Sequence, residues 1–574
     1  MRPLLTVLLA LLAPIPLGGC AGAVAGAEGA SVHGAGLFDH VLPSDAPGET
    51  IDTLRIVATP GEYEPATFLV RAGARDLRDV GATLTALTGP GRIGADDLDL
   101  RVVKVWRQAG TTHKADRRGP VLVPEPLVYD DAESLRGSFT GSGRRAAYVP
   151  PTIARTLRTD IPAGTVKQFW LTVHVPESAP PGSYGGDVTV VTPDGPLATL
   201  RVTLEVLPFT LLEPRQSYST SHIMDPDNPL IREELADIRR HGFRSMNLWV
   251  SGESARSVAA QLALLEEAGF EDPVALHARA EENASLAQLL ERSAFAGYLQ
   301  GQGEPTRLHA EKRAHSLRHH IRESYDIRQL GLRVGVPGRR GIFELLLDPG
   351  SEAYDQIDPK TGRTFRALGI TDEFPDYPQY GIVPDDTGER NRAFREYLAD
   401  LRAGRVEKHP AAHEAMYWQA WIERPILNRM IAGAFLWTSG LDGISAVSFQ
   451  GAIGGSYGDP NDDLDSQKNS RGQAMRDNTL TYLSTDGPIP TLQWEALREG
   501  YDDMRYLTTL ADLLDELRGS DPQTVATIER EIDTELRKYH HTIDHVRLDG
   551  RDFEATRALL IEKITHVRDK LATP

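Results

Sequence analysis

Gly303-Glu304-Pro305 follows a short apolar run, Phe295 to Gln300, and precedes a basic amphipathic run, Leu308 to Ser324. Glycines end the apolar run, Pro305 stops a central strand from continuing, and a helical pattern then begins. In a parallel α/β barrel such a strand-turn-helix junction lies at the carboxyl end of its strand, where active sites are assembled. Glu304 is therefore the first candidate for chemistry. Asp372-Glu373 ends a second apolar run, Leu368 to Thr371, with Phe374-Pro375 after it, and Glu423 follows Trp418 to Trp421. Two carboxyl groups, one an acid and the other a nucleophile or base, cleave glycosidic bonds at separations of ~5–5.5 Å or ~6.5–9.5 Å. Asp372 and Glu373 are the candidate catalytic partners of Glu304, and Glu423 is the third choice. A plainer role stands beside this one. A Glu before Pro can serve only the helix dipole, and acids in loops are usually just solvated.

Sugar rings present C–H faces that stack on aromatic side chains. Trp249 ends one strand candidate, and Tyr417, Trp418 and Trp421 end another. His222 and Asn247 lie near further strand ends and are candidate hydroxyl ligands, and Glu423 joins this substrate-binding set. Successive strand residues point to opposite faces, so one of Tyr417 and Trp418 faces a barrel interior and the other packs on helices. Core packing explains any single one of these residues as well as ligand contact does. As a cluster at one rim they favour a carbohydrate partner.

The elements that must hold these residues fall into a sequence of textures. Residues 1–20 form an apolar leader and 21–30 a Gly/Ala-rich tether. From 31 to 212 short alternating runs are broken by Gly, Pro and Asp, as at Thr53 to Ala58, Leu98 to Trp106 and Ala198 to Leu207. That pattern predicts a β-sandwich. Pro180 to Tyr184 is a hairpin signal, and Thr111 to Arg145 a long polar excursion. From 213 to 514 apolar runs alternate with amphipathic helices. Eight strand candidates begin near Ser217, Ser245, Val274, Phe295, Gln329, Arg366, Glu414 and Ile444, and this repeat predicts a (β/α)8 TIM-type barrel. Residues 515–574 are helical only and read as a short appendage. An open doubly wound sheet is the alternative, but no Gly-x-Gly-x-x-Gly turn supports a nucleotide cofactor.

Composition narrows the partners. The 574-residue chain carries a net charge of −19, with no long basic block to follow a phosphate backbone, so nucleic acid is not expected. Its 17 histidines form no ligand pattern, and no metal or cofactor is expected. The single cysteine is Cys20, after Leu17-Gly18-Gly19 and an apolar, proline-broken run from Leu4. This arrangement resembles a bacterial lipoprotein signal, in which the cysteine becomes the lipidated amino terminus. A lipid anchor in the cell envelope, periplasmic or at the outer surface, is the corresponding expectation.

Several motifs bring a family to mind. They are Gly61 to Ala66, Phe169 to Val173 with Val175-Pro176, Pro181 to Gly186, Ala434 to Trp437 with Gly440 to Gly443, and Trp494 to Asp503 running into Tyr506-Leu507. Together these resemble glycoside hydrolase family 123 and the wider domain of unknown function 4091 over roughly Gly61 to Leu514. The resemblance implies a sandwich on a catalytic barrel and removal of β-linked N-acetylgalactosamine by substrate-assisted chemistry. In that chemistry an Asp orients the 2-acetamido group and the adjacent Glu protonates the leaving oxygen, the pair lying after the fourth strand. Strand order puts Glu304 on the acid position, whereas Gly303 stands where the family carries Asp. An alternative alignment makes Asp372-Glu373 the family pair, two strands later.

In the motif Trp494, Glu495, Arg498, Glu499 and Asp502, the charged pairs Glu495 with Arg498 or Glu499, and Arg498 with Asp502, lie on one helix face at spacings of three and four. They are assigned to an ion network that locks the last helix onto the barrel. The loop Gly451 to Arg471 is an acidic, substrate-covering candidate, and its Asp-x-Asp spacing lacks the glycine and closing Glu of a calcium loop. The expected function is a glycosidase acting on β-linked glycans with Glu304 as general acid. A catalytically inactive carbohydrate-binding barrel and a structural or protein-binding lipoprotein are the alternatives.

Overall fold

The structure is a computed structural model that describes residues 29–108, 120–140, 147–222, 224–250, 253–272, 274–277, 298–300, 310–338, 340–381, 392–421, 424–450, 479–539 and 549–573. The amino-terminal part is two packed sheets. One runs in the order Ser31–Gly34, Tyr63–Arg71, Val166–His174, Leu98–Gln108, Val121–Val128. The other runs Thr159–Ile161, Leu77–Leu84, Gly182–Thr192, Gly195–Val206, Thr53–Ala58. Alternation places Leu200, Val202, Leu204 and Val206 between the sheets and leaves Arg201 and Glu205 outside. Phe68 and Phe169 stack across the first sheet with ring centroids 5.1 Å apart.

That first sheet is covered on both faces. Val103, Leu127 and Trp170 belong to the core shared with the barrel, while Val102 and Phe169 face the second sheet. Double burial explains why seven consecutive residues of Tyr63–Arg71 are buried.

Two expectations for this region change. Val121–Val128, inside the expected excursion, is a sandwich strand paired with Leu98–Gln108. Pro124 and Pro126 hid it, since proline breaks the usual strand signal, and it sits at the sheet's edge where proline is tolerated. The Pro180 to Tyr184 turn carries the chain from one sheet to the other; the hairpin is at Thr192 and Gly195.

Eight parallel strands close the barrel: Ser217–His222, Ser245–Trp249, Ala275–His277, Tyr298–Gln300, Arg333–Gly338, Tyr377–Gly381, Ala415–Gln419 and Gly443–Val447. Outward residues such as Met246, Leu248, Val334, Val336, Met416 and Ile444 pack under helices in the main core. The inward set is small or polar. Ala275, Tyr377 and Ala415 form a separate cluster, and Asn247 donates to Ser445 Oγ at 2.5 Å. Helices Ile231–Arg240, Ala255–Glu267, Ala310–Gln329, Arg340–Leu347, Arg392–Arg402 and Leu492–Leu517 surround the strands.

The sixth strand is Tyr377–Gly381, not the run at Arg366 to Thr371. Arg366–Leu368 is a 3-10 turn closed by Gly369 at φ +76°, a left-handed conformation that glycine adopts without strain. The true strand carries Pro378 and two tyrosines, so it lacks the apolar signature of a buried strand.

The carboxyl-terminal helices are more than an appendage. Leu560, Ile564 and Val567 of Gly550–Ala572 enter the main core. Arg557 of the same helix reaches Glu64 in the sandwich and Glu499 and Asp503 on Leu492–Leu517.

Candidate functional site

The strands end at His222, Trp249, His277, Gln300, Gly338, Gly381, Gln419 and Val447, which defines the carboxyl rim of the barrel. Glu304 follows Gln300, the end of the fourth strand, but Gly303, Glu304 and Pro305 lie outside the described residues. Glu423, the loop Gly451 to Arg471 and Cys20 also lie outside them. Trp249 is the last residue of the second strand.

Asp372 and Glu373 stand at the opposite end of the barrel. They precede the sixth strand, and their neighbour Asp376 accepts from Val334 N at 2.7 Å while its carbonyl accepts from His413 N at 2.7 Å. Both contacts are at the starts of strands, so this is the amino-terminal face, where stability resides. Glu373 is buried, its backbone N–H donates to the Tyr354 hydroxyl at 3.0 Å, and Arg328 Nε is 3.5 Å from its carboxylate. Burial pushes the Glu373 carboxyl up to about 7 against the pull of Arg328, with Asp372 adding to the rise. Burial also lowers the nearby His320 to about 4. The assignment of Asp372 and Glu373 as partners of Glu304 is thus corrected, because the strand thought to carry them to the rim is the turn before it.

The seventh strand resolves the choice between Tyr417 and Trp418. Trp418 is 1% exposed and points into the helical layer, where its indole N–H donates to Asn428 Oδ1 at 2.8 Å. It offers no free ring face to a sugar. Tyr417 shares the inward face of Ala415 and is half-buried. Asn428 also accepts from Trp421 N and donates to Trp421 O, each at 2.8 Å. One side chain thereby fixes the turn leaving the strand, with Trp421 half-buried upon it.

Asn247 lies within the barrel, below the rim, with Nδ2 held by Ser445 and Ser219 Oγ. Its Oδ1 is buried and has no partner among the described residues. His222 does end its strand, but its Nε2 meets Glu234 Oε2 of the first helix at 3.0 Å, and the ring edge packs on Phe449 at 5.2 Å. Glu234 also accepts from Asn228 at 3.1 Å. The Nδ1 of His222 is buried and has no partner among the described residues.

Residues overlooked in the sequence include Gln419 at the end of the seventh strand, Ser448 just after the eighth and Arg340 just after the fifth. Arg340 donates to Tyr380 OH at 3.0 Å and lies 3.6 Å from the centroid of the Tyr397 ring. Only their place at strand ends could have pointed to them. Among the described residues several cavities lie away from the rim, between sandwich and barrel, and two of them share Tyr63, Arg240 and Arg498 in their lining. One of ≈240 Å³ is lined by Tyr63, Arg101, Tyr129, Asp237, Arg240 and Arg498. Its arginines are engaged internally, Arg101 with Asp99, Arg240 with Glu233 and Arg498 with Glu495, so it reads as a polar seam. The other is a cleft of ≈700 Å³. Among the described residues no group of three His, Cys, Asp or Glu gathers as a metal site.

No protein-family model matches the sequence, and no curated protein matches it. A family 123 glycoside hydrolase from Clostridium perfringens superposes with a TM-score of 0.59 at 11% identity, covering 94% of this chain and 98% of that one. The fold is glycoside-hydrolase-like. At this identity the likeness concerns architecture, and it extends over both the sandwich and the barrel. A family 39 glycoside hydrolase from Bacteroides cellulosilyticus is more distant, with a TM-score of 0.35 at 10% identity, covering 78% of this chain and 82% of that one.

Proposed function

We propose that the protein is a glycoside hydrolase acting on β-linked, N-acetylhexosamine-containing glycans, with Glu304 as general acid. The observation that carries this is the sandwich-on-barrel likeness to the family 123 enzyme over 94% of the chain, together with a fourth barrel strand at Tyr298–Gln300 directly ahead of Gly303-Glu304-Pro305. That order supports a carboxyl-rim position for Glu304, and the barrel is read as a complete (β/α)8 unit. A carboxylic acid there donates its proton to the glycosidic oxygen as the bond to the anomeric carbon breaks. Gly303 cannot orient an acetamido group, so the second function passes to a carboxylate on another strand. With Asp372 and Glu373 at the far end, Glu423 takes this role as nucleophile or base, four residues beyond Gln419. Trp249, Tyr417 and Trp421 supply the sugar-facing surface. The C. perfringens enzyme is described for glycolipid glycan hydrolysis, and a membrane-associated glycan suits a protein anchored through a lipid on Cys20.

The test is turnover of a panel of aryl β-glycosides, including the N-acetylhexosaminides, by wild type, Glu304→Gln and Glu423→Gln. Each variant is expected to lose about 10²–10⁴-fold in kcat while keeping its melting temperature. Unchanged turnover in Glu304→Gln would overturn the assignment. Gly303 also favours a second possibility, a barrel that binds glycans without cleaving them. Saturable binding with no turnover in the wild type would establish that alternative.

A further inference from the structure

The junction between sandwich and barrel buries more acid than base. Glu62 and Glu64 come from the sandwich, and Glu499, Asp502 and Asp503 from helix Leu492–Leu517; each is at most 9% exposed. Facing them are Arg429 from Ile426–Met430, Arg505 from the same long helix and Arg557 from Gly550–Ala572. Five carboxylates against three guanidiniums cannot all stay ionised in a medium that screens charge poorly.

The pairing leaves the deficit in one place. Arg557 binds Glu64, Glu499 and Asp503 at 3.0, 2.9 and 2.7 Å, and Arg429 binds Asp503 at 2.8 Å and Glu499 at 3.3 Å. Among the described residues Glu62 takes only neutral donors, among them Thr59 N at 2.7 Å and Tyr506 OH at 3.0 Å, and its Oε1 has no partner. Among the described residues Asp502 has one ion-pair partner, Arg505 at 3.1 Å, which Glu213 shares at 3.8 Å. The remaining nearby groups do not relieve it. Tyr218 and Tyr501 are neutral, the Tyr501 hydroxyl being held by Glu213, and Arg498 is paired with Glu495. Asp502 also borders the ≈700 Å³ cleft between the turn at Pro60 and Gly61 and the barrel, which Arg239, Arg240, Arg244, Glu213 and Glu271 also line. Protons therefore have a route to it.

We propose that this junction is a pH-sensitive clasp in which Asp502 carries a proton when sandwich and barrel are docked, so that the contact is tightest in acid and loosens as the pH rises toward neutrality. Burial and the Glu62 carboxylate push Asp502 up to about 7 in spite of Arg505, and Glu64 is raised by burial and by Glu499. The undocked Asp502 ionises near the ordinary 3.8. Docking therefore binds a proton between these limits, and its stabilisation declines through that window and is lowest above it.

The test is the pH dependence of unfolding of the full chain, wild type against Asp502→Asn. Removing one titrating proton should make the two unfolding constants diverge by about tenfold per pH unit between pH ~5 and ~7, the variant being the more stable above. Parallel curves would overturn the proposal. If Asp502→Asn does not fold, Glu62→Gln must move the upper limit of the wild-type window to lower pH, and an unmoved limit is equally fatal. The junction itself is read from the Thr59 amide. Its hydrogen exchange, corrected for intrinsic base catalysis, should accelerate from pH ~5 to ~7 in wild type; constant protection would show that the clasp does not open.

Discussion

Arg557 and Glu64 are 493 residues apart in sequence and 3.0 Å apart in space. The guanidinium comes from the final described helix and the carboxylate from the first long sandwich strand, and Glu499 and Asp503 of the barrel's last helix complete the group. Arg557→Ala would leave three buried carboxylates with Arg429 as their main counter-charge. Breaking a buried ion pair by removing one partner costs about 3–5 kcal/mol. The expected result is a lower urea midpoint with an unchanged m-value. A change below ~1 kcal/mol would mean that water already compensates the site.

Glu373 should behave as a stability group and not as a catalyst. The folded protein keeps its carboxyl protonated up to about 7, whereas the unfolded chain ionises near 4.5. Its contribution is complete below the lower value and is lost as the pH rises to the upper one. Glu373→Gln is expected to raise the melting temperature at pH ~8 and to leave it unaltered near pH ~4. Glycoside turnover by Glu373→Gln and Asp372→Asn should match the wild type, because both residues lie at the amino-terminal end. A large kcat loss in either would return them to the active site.

Asn428 holds Trp418 Nε1 and both backbone groups of Trp421. Asn428→Ala leaves a buried indole donor and a turn amide unsatisfied, a cost of about 1–3 kcal/mol for each such group. Tryptophan emission should shift to the red and the unfolding midpoint should fall. Turnover should fall further than stability does if the turn carries a working Glu423, and the comparison of kcat with melting temperature separates the two effects.

Gly500 marks a close helix crossing. A Cβ there would sit 2.5 Å from Arg429 O, and one on Gly433 would sit 2.9 Å from Gly500 O. Gly500→Ala should therefore destabilise by about 1–3 kcal/mol through overpacking, although alanine is the better helix former. A stabilised variant would show that the helices can separate without loss.

Much of the architecture is legible in the sequence. Strand alternation marks the two sheets, and helical spacing marks Leu492–Leu517 with its Arg498 and Glu499 face, which here joins three parts of the molecule. What fails does so for local physical reasons. Tyr377–Gly381 is an interior barrel strand with proline, glutamine and glycine, whereas Leu368 to Thr371 is apolar because it packs beneath the barrel. The one-element error moves Asp372 and Glu373 from one end of the barrel to the other. Trp418 and Tyr417 are adjacent and of like character, and only the inward placement of Ala415 tells them apart. Arg557 carries no local signal, since its partners come from distant segments.

The long-range contact of Arg557 also governs the order of assembly. Glu64 and Glu499 emerge from the ribosome before the arginine that neutralises them, and buried carboxylates without that partner oppose closure of the sandwich onto the barrel. Docking of the sandwich onto the barrel is therefore expected to reach its full stability only once the last helix has been made. Until then the acidic face of the junction stays open to solvent.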